Sequence, residues 1–265
     1  MNKITLLSAT ALVMSGPGAL VAETVPPAPV SSWTGLHIGI GGGAGYNTYD
    51  AESLFDVDAW NAVVPDFIDI ESDEDKFYGF GTVEIGADYQ FDGTAIVVGI
   101  LASYDFNGKS EVDSSLNSAA EDGYITAEIQ SELEDSWFVG GRAGFVVNGA
   151  SLLYGLGGYS WTKAKAKSHL GFDFNGAGDD FAEIDEDESV DGWTLGVGLE
   201  QLLTDSISLK LEYRHDFLDS IKWNGAPFDP EWGGVDPDNN ASGKVDFSRD
   251  TLRAVVSWRF GMSGP

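Results

Sequence analysis

Two runs of alternating polarity, on either side of a short polar turn, constrain the fold of this chain more than any other feature. They span residues 192–218, and the turn between them is Thr204-Asp205-Ser206. A period of two predicts β-strands, and two such runs around a short turn predict a β-hairpin. One face of each run carries aliphatic side chains flanked by aromatic ones, while the other carries glycine, polar and charged residues. This pattern is typical of a wall between lipid and a polar lumen.

Six further stretches show the same alternation, so eight strands are predicted. They cover residues 33–46, 76–91, 94–106, 136–147, 151–167, the two halves of 192–218, and 249–260. Their connections alternate between short turns, such as Asp92-Gly93 and Asn148-Gly149, and long acidic segments. No run of about 18 apolar residues is present, so the sequence offers no transmembrane helix. We therefore predict an all-β protein, an eight-stranded antiparallel up-and-down transmembrane β-barrel with its short turns in the periplasm.

The negative charge is concentrated in the four long connections. The formal net charge is −29, and residues 47–75, 107–133, 168–191 and 218–246 hold 31 of the 43 acidic residues. Such a surface repels nucleic acid and anionic surfaces. The chain has no cysteine, which excludes thiolate catalysis, disulfides and cysteine-ligated metals.

The N-terminus has the pattern of an export signal. Lys3 precedes an apolar stretch that ends at Ala22, so residues 1–22 are predicted to be a signal peptide; a buried N-terminal helix is the alternative. The remaining boundaries are a proline-rich periplasmic segment at 23–32, the outer-membrane barrel with four long acidic extracellular loops at 33–260, and a C-terminal tail at 261–265.

The alternation also predicts which way side chains face. In the first strand, the glycines at every second position of 35–45 face a lumen too narrow for larger residues. A phosphate-binding loop in the same stretch is the alternative, but no helix pattern and no Lys-Ser/Thr pair follow. In the fifth strand, two adjacent leucines leave the phase ambiguous, and we place Tyr154 and Leu156 outward and Tyr159 inward. Trp33 is assigned, with other strand-end aromatic residues, to the girdles at the membrane surfaces.

Charged residues at inward positions define the candidate site. Acidic and basic residues must pair in the confined, low-dielectric lumen of an eight-stranded barrel. We predict a structural salt-bridge network that plugs the lumen; a conducting path is the alternative. Its members are Glu84, Asp88, Arg142, Glu200, Lys210, Glu212, Arg214 and Arg253.

No catalytic constellation is evident, so an enzyme is not expected and no cofactor is predicted. Paired carboxylates such as Glu200 and Glu212 suggest acid/base chemistry, but nearby arginines favour their ionised forms. The three histidines are His37, His169 (in a predicted loop) and His215, and none forms an evident nucleophile–base pair.

Two charge patterns lie outside the lumen. Residues 69–75 and 179–191 offer carboxylates to divalent cations such as Ca²⁺, but they lack the spacing of an EF-hand loop. We predict diffuse divalent binding and no defined metal site. Lys163, Lys165 and Lys167 recur at period two beside the acidic run of the same hairpin. Cross-strand charge pairing above the membrane is favoured, and a ligand patch is the alternative.

Four segments carry a family resemblance. They are residues 33–39 (WTGLHIG), 155–159 (GLGGY), 192–214, and the Arg259-Phe260 ending. Together they resemble the small outer-membrane barrels related to the opacity proteins and, more distantly, the barrel domain of outer membrane protein A. The resemblance covers essentially the whole chain after the predicted signal peptide.

The resemblance implies a monomeric eight-stranded barrel in the outer membrane of a Gram-negative bacterium, in contact with outer-membrane lipid and lipopolysaccharide. Members of the family are structural, adhesive or surface-antigenic, and a few are described as haem-binding or porin-like. It also implies that the barrel assembly machinery reads a terminal aromatic residue, here Phe260. The chain departs from the family by continuing through residues 261–265.

Together, the residues and the resemblance predict a structural outer-membrane protein that supports membrane integrity. Its acidic loops are the expected site of surface interaction, including any extracellular ligand. A small diffusion porin is the first alternative, and an outer-membrane lipid-modifying enzyme is the second.

Overall fold

The computed structural model describes residues 33–56, 67–107, 111–120, 123–174, 177–227 and 240–261. Within these ranges no helix is long and apolar enough to cross a membrane. The predicted signal peptide and proline-rich segment lie outside the described residues, as does the tail after Gly261. The strands are β1 (Gly35–Asp56), β2 (Phe67–Gln90), β3 (Ile96–Asn107), β4 (Glu111–Ala120), β5 (Gly123–Val147), β6 (Ser151–Phe174), β7 (Ala177–Leu202), β8 (Ile207–Leu218), β9 (Ile221–Pro227) and β10 (Asn240–Gly261).

Eight of these strands close into an antiparallel barrel. β1, β2, β3, β5, β6, β7, β8 and β10 pair in that order, and β10 pairs back with β1 from Gly35↔Gly261 to Asp56↔Asn240. Closure leaves no edge with a row of unpaired backbone groups, which a strand wall in lipid requires. β4 pairs with β5, and β9 pairs with β10, at the end opposite to the short turns. The predicted fold class is confirmed.

Short turns join the wall strands at the other end of the barrel. Asn148 and Gly149 have φ angles of 56° and 71°, in the left-handed region, within the three-residue turn between Val147 and Ser151. Gly93 has a φ angle of 68° in the turn after β2. In the third turn the Thr204 hydroxyl accepts a hydrogen bond of 3.0 Å from the amide of Ile207. All three predicted turns are confirmed.

The strands extend well beyond their predicted ends. β1 and β2 remain paired from Gly35↔Asp88 to Asp56↔Phe67, and the acidic runs 69–75 and 179–191 lie in β2 and β7. Much of what we predicted to be loop is therefore strand. Lipid imposes alternation only along the membrane-spanning part, so the sequence pattern fades where the outer face meets water although the backbone pairing continues. We refer to these paired ends, opposite the short turns, as the extracellular extension, after the side of the membrane on which we expect them to lie.

The interior of the extracellular extension is apolar near the membrane. Tyr49 of β1 and Phe247 of β10 pack edge to face, with ring centroids 5.7 Å apart. The same two strands and others beside them add further buried apolar side chains at inward positions. These are Ala51, Ala164, Val190, Ile221 and Val245.

The phase of β6 is opposite to our prediction. Tyr154 and Leu156 are buried, whereas Tyr159 is exposed. Glycines on neighbouring strands leave room for the inward side chains of β6, since a Cβ atom at Gly198 would lie 2.3 Å from the Tyr154 ring. The space for this tyrosine is therefore supplied by a neighbouring strand, which the two ambiguous leucines of β6 do not reveal.

The glycines of β1 face the lumen, in agreement with the prediction. A Cβ atom at Gly41 would lie 2.1 Å from the carbonyl oxygen of Ala254, and one at Gly45 would lie 2.3 Å from the Tyr78 ring. Both separations are far below van der Waals contact. These glycines allow β1 to approach its neighbours closely and leave room for aromatic side chains.

Candidate functional site

Buried charges in equal numbers fill the barrel lumen. Six acidic and six basic side chains are buried there among the described residues. Of these twelve, eight are the predicted network residues, all of which the structure places in the lumen. The acidic set is Glu84, Asp88, Asp105, Glu200, Glu212 and Asp216, and the basic set is Arg142, Lys210, Arg214, Arg249, Arg253 and Arg259.

Arg142 is the centre of the cluster nearest the periplasmic turns. Its guanidinium binds both carboxylate oxygens of Asp88, at 2.8 Å and 2.6 Å, and donates a third hydrogen bond of 2.8 Å to Glu200. Glu200 also accepts a hydrogen bond of 2.6 Å from the hydroxyl of Ser208. One arginine of β5 therefore connects β2 with β7 across the lumen.

Arg259 closes the periplasmic side of this cluster. Its guanidinium lies 3.0 Å from Glu200 and 3.2 Å from Asp88, and it donates a hydrogen bond of 2.7 Å to the carbonyl oxygen of Trp33. Trp33 is fully buried and not in the membrane-surface girdle where we predicted it. The guanidinium carbon of Arg259 lies 4.6 Å from the centroid of the Trp33 ring, and this cation–π contact stabilises the indole in its buried position.

The middle of the lumen holds two carboxylates from different sides of the barrel. Glu84 of β2 pairs with Lys210 of β8. Glu212 accepts a hydrogen bond of 2.6 Å from Arg214 and one of 2.5 Å from the hydroxyl of Tyr154. Lys210 lies 3.9 Å from Glu212, which joins the two pairs into one network.

Two simpler pairs lie towards the extracellular extension. Arg253 binds Asp105 through two nitrogens, at 3.0 Å and 2.9 Å. Arg249 binds Asp216 at 2.6 Å, and the hydroxyl of Thr194 donates a hydrogen bond of 2.6 Å to the same carboxylate. Charged hydrogen bonds thus succeed one another along the whole membrane-spanning lumen.

Aromatic rings occupy the space that the ion pairs leave. Each ring lies against one guanidinium, so the positive charges are also stabilised by ring faces. The contacts are Arg142 over Tyr154 at 4.9 Å, Arg214 over Phe138 at 4.2 Å, Arg253 over Phe80 at 5.1 Å and Arg259 over Trp33 at 4.6 Å.

Sequence reasoning omitted four charged members of the network. Asp105 and Arg259 are inward by parity in the predicted strands, although the predicted network does not include them. Asp216 and Arg249 lie at the ends of the predicted strands, and their roles depend on the register of β8 against β10, where Arg249 is the direct partner of Asp216. The alternation of the predicted strands places all four residues inward, and only the pairing of strands identifies their partners.

The histidines lie far apart in the strand register. His37 is buried in β1, 3.3 Å from Asp88, and His215 lies on the outer side of β8, 2.8 Å from Asp250. His169 belongs to β6 and not to a loop, although its side chain is outside the described residues. Among the described residues no group of three or more His, Cys, Asp or Glu side chains could hold a metal ion.

Charges on the outside of the extracellular extension are paired differently. Lys165 pairs with Glu134. Lys244 pairs with Asp246 on its own strand, and this hydrogen bond raises the pKa of Lys244, so the ammonium stays charged over a wider range of pH. These pairs are open to water, unlike those of the lumen.

Phe260 lies near the end of β10, opposite Leu36 of β1, and 47% of its surface is exposed on the lipid-facing side. Its ring stacks parallel to that of Trp258, with centroids 6.1 Å apart. Both rings are therefore presented outward at the periplasmic rim. The role of Phe260 as an assembly signal stays a prediction.

Two outer-membrane proteins are similar to almost the whole chain. Both are 31 kDa outer-membrane immunogenic proteins, one from Brucella melitensis and one from Brucella suis. Each is 31% identical over 263 residues, which is 97% of this chain and 94% of the relative.

Two solved outer-membrane structures align with most of the chain. Ail, the attachment invasion locus protein of Yersinia pestis, aligns with a TM-score of 0.35 and 16% identity, covering 83% of this chain and 99% of its own. OprG of Pseudomonas aeruginosa aligns with a TM-score of 0.45 and 13% identity, covering 88% of this chain and 99% of its own.

The sequence model of the outer membrane protein β-barrel domain matches residues 15–260. This match, together with the similarity to the Brucella proteins, confirms the family expected from the resemblance and the location in the outer membrane of a Gram-negative bacterium. The chain belongs to the outer membrane protein β-barrel domain family.

Proposed function

We propose that this protein is a structural outer-membrane barrel with a closed lumen, which supports membrane integrity and presents an acidic surface to the exterior. The observation that carries the proposal is the balance of six acidic and six basic side chains buried in the lumen among the described residues. Each charge is compensated inside the wall, so the network needs no mobile ion for neutrality.

The geometry of the network supports a closed lumen. At the level of Arg142, the guanidinium spans from Asp88 to Glu200, with Arg259 bound to the same two carboxylates. An ion that passed this level would have to separate several charged hydrogen bonds in a low-dielectric space, which is far costlier than the same step in water.

The extracellular extension supports the proposed surface role. Its long antiparallel pairs bring the acidic residues of β1, β2, β6 and β7 beyond the membrane-spanning wall. The similar Brucella proteins are named as immunogenic, which fits exposure of such a region at the cell surface.

Planar-bilayer recording of the refolded protein tests the closed lumen. We expect no steady conductance from the wild type, because the network blocks the path. Replacing Arg142 with Gln, or Arg214 with Gln, removes an internal clamp, whereas Lys222→Gln changes an exposed charge of the extension and serves as the control. Steady wild-type conductance that rises in either arginine variant but not in the control would overturn the proposal. Heat-modifiable mobility on a denaturing gel verifies that each variant is folded.

A small diffusion porin is the second candidate, and one observation favours it. Arg214 Nη2, Arg249 Nη1 and Arg253 Nε are buried nitrogens without a hydrogen-bond acceptor in the described protein. Buried donors of this kind are usually satisfied by water, and a file of water molecules would be the start of a polar path. The same recordings decide between the two candidates.

Antibody labelling of intact cells tests the surface role. An epitope tag between β1 and β2 should be accessible from outside, whereas a tag in the Asn148-Gly149 turn should become accessible only after the outer membrane is permeabilised. The reverse labelling pattern would contradict the orientation. Binding of the same cells to surfaces, with and without shortened connections, then measures whether the extension mediates adhesion.

A further inference from the structure

The outer face of β6 changes in character from one end to the other. Its outward positions begin apolar, become aromatic and end in three cations, without interruption of the alternation. In chain order they are Leu153, Gly155, Gly157, Tyr159, Trp161, Lys163, Lys165 and Lys167.

Aromatic contacts mark the surface of the membrane on the side of the extracellular extension, beside these lysines. Tyr159 packs edge to face on Trp193 with centroids 5.5 Å apart, and Trp161 is the direct cross-strand partner of Trp137. Rings of this kind lie at the level of lipid headgroups in membrane barrels. Two residues of a tilted strand rise by about 5 Å, so Lys163 lies about 5 Å beyond Trp161, within the headgroup layer.

The register with β7 places an acidic residue opposite only two of the three lysines. The register places Lys165 opposite Asp187 and Lys167 opposite Asp185, but it places Lys163 opposite Ser189. The prediction that all three lysines pair with the acidic run therefore does not extend to Lys163.

The acidic residues around Lys163 are bound to other side chains. Glu134 pairs with Lys165, Asp135 accepts a hydrogen bond of 2.7 Å from Tyr104, and Asp191 accepts one from Tyr159. Among the described residues Lys163 has neither a hydrogen bond nor an ion pair through its ammonium group, and its side chain is exposed. The unpaired ammonium group of Lys163 therefore lies at the level of the lipid headgroups, which carry phosphate.

We propose that Lys163 binds a phosphate group on the headgroup of an outer-leaflet lipid, with the exposed part of Lys165 beside it. The aromatic rings below would hold the lipid's apolar part at the wall while the ammonium neutralises the phosphate. The acidic extension does not prevent this contact, because the nearest carboxylates are bound to other side chains. Charges more than about 8 Å away are largely screened at physiological salt. The proposal is independent of what the extension contacts outside the cell.

Native mass spectrometry of the mature barrel in nanodiscs tests this site. The discs contain phosphatidylcholine and a trace of outer-leaflet glycolipid, either phosphorylated or treated with phosphatase, and the readout is the ratio of the two glycolipid forms retained on the protein. One surface lysine contributes about 1 kcal/mol to binding of an anionic lipid, so Lys163→Gln should lower the preference for the phosphorylated form about five-fold. Lys163→Arg should retain it.

Lys222→Gln is the matched control, because it removes another exposed lysine of the extension, one that lies opposite Lys244 and away from the aromatic rings of β6. We expect it to keep the wild-type preference. An unchanged ratio in Lys163→Gln would overturn the proposal, as would an equal loss in both variants, which would indicate a general effect of net charge. Heat-modifiable mobility is checked for every variant, so that misfolded protein is not scored.

Discussion

The lumen and the extracellular extension are built from the same strands but treat charge in opposite ways. In the lumen, acidic residues are paired with bases at hydrogen-bond distance, as in Arg142 with Asp88 and Arg253 with Asp105. In the extension, like charges are direct cross-strand partners: Asp50 lies between Asp73 and Asp246 in the register. The difference shows that the medium around a strand determines whether like charges can be neighbours on it.

The physical cause is solvent. Two like charges on neighbouring strands in water repel each other by a small amount that salt reduces further. The same charges in a narrow lumen have lost their hydration, and each must recover that cost from a close partner. The extension can therefore accumulate the large negative charge of the chain, whereas the lumen has to remain balanced.

Removing one partner of a lumen pair should have the largest effect. Lys210→Met removes the ion pair of the buried Glu84 and, among the described residues, leaves its carboxylate one hydrogen-bond donor, the Ser257 hydroxyl at 3.3 Å. We expect a loss of about 3–5 kcal/mol in the free energy of unfolding, because an uncompensated charge remains inside the barrel. Urea unfolding in lipid vesicles measures this change.

The double variant Lys210→Met/Glu84→Met sharpens the same comparison. If the cost arises from the orphaned charge, the double variant should regain most of the lost stability. If the double variant instead loses as much free energy of unfolding as the two single variants together, packing and not charge compensation dominates at this level of the lumen.

A methyl group on the inside of the wall should be more harmful than one on the outside. Gly41→Ala places its Cβ 2.1 Å from a backbone oxygen, whereas the nearest atom to a Cβ at the outward Gly155 is 3.9 Å away. We expect Gly41→Ala to cost about 1–3 kcal/mol or to prevent folding, and Gly155→Ala to be close to neutral. Heat-modifiable mobility and the urea midpoint provide the readout. Equal tolerance of both substitutions would mean that the lumen is less crowded than the structure shows.

The smallest effect is expected for an ion pair of the extension. Lys165 and Glu134 are each about one-third exposed, with side-chain exposures of 35% and 32%. Lys165→Met should change the free energy of unfolding by less than about 1 kcal/mol, and the change should shrink as salt increases. A loss in the free energy of unfolding as large as that of Lys210→Met, or one that does not depend on salt concentration, would contradict the difference between the two regions. Lys165→Arg keeps the charge and serves as the control.

Part of the candidate site was predictable because facing is a local property of a strand. Glu84, Glu200 and Lys210 were assigned to the lumen by counting in twos, and they lie there. The choice of partner was not predictable, since Lys210 and Glu84 are 126 residues apart in the chain and meet only across the closed barrel. The alternation of residues did not predict the facing of Tyr154 correctly, because two adjacent leucines made the phase of β6 ambiguous.

The number of wall strands, their short turns and the polarity of their two faces follow from the amino-acid sequence alone. Lipid on one side and a polar lumen on the other impose a period of two, which can be recognised in each strand separately. Four further features follow from the folded barrel and not from the local pattern. They are the partners within the lumen, the burial of Trp33 beneath Arg259, the phase of β6 and the continuation of the strands through the acidic segments. These features depend on register and closure, which bring together residues that the linear pattern leaves far apart.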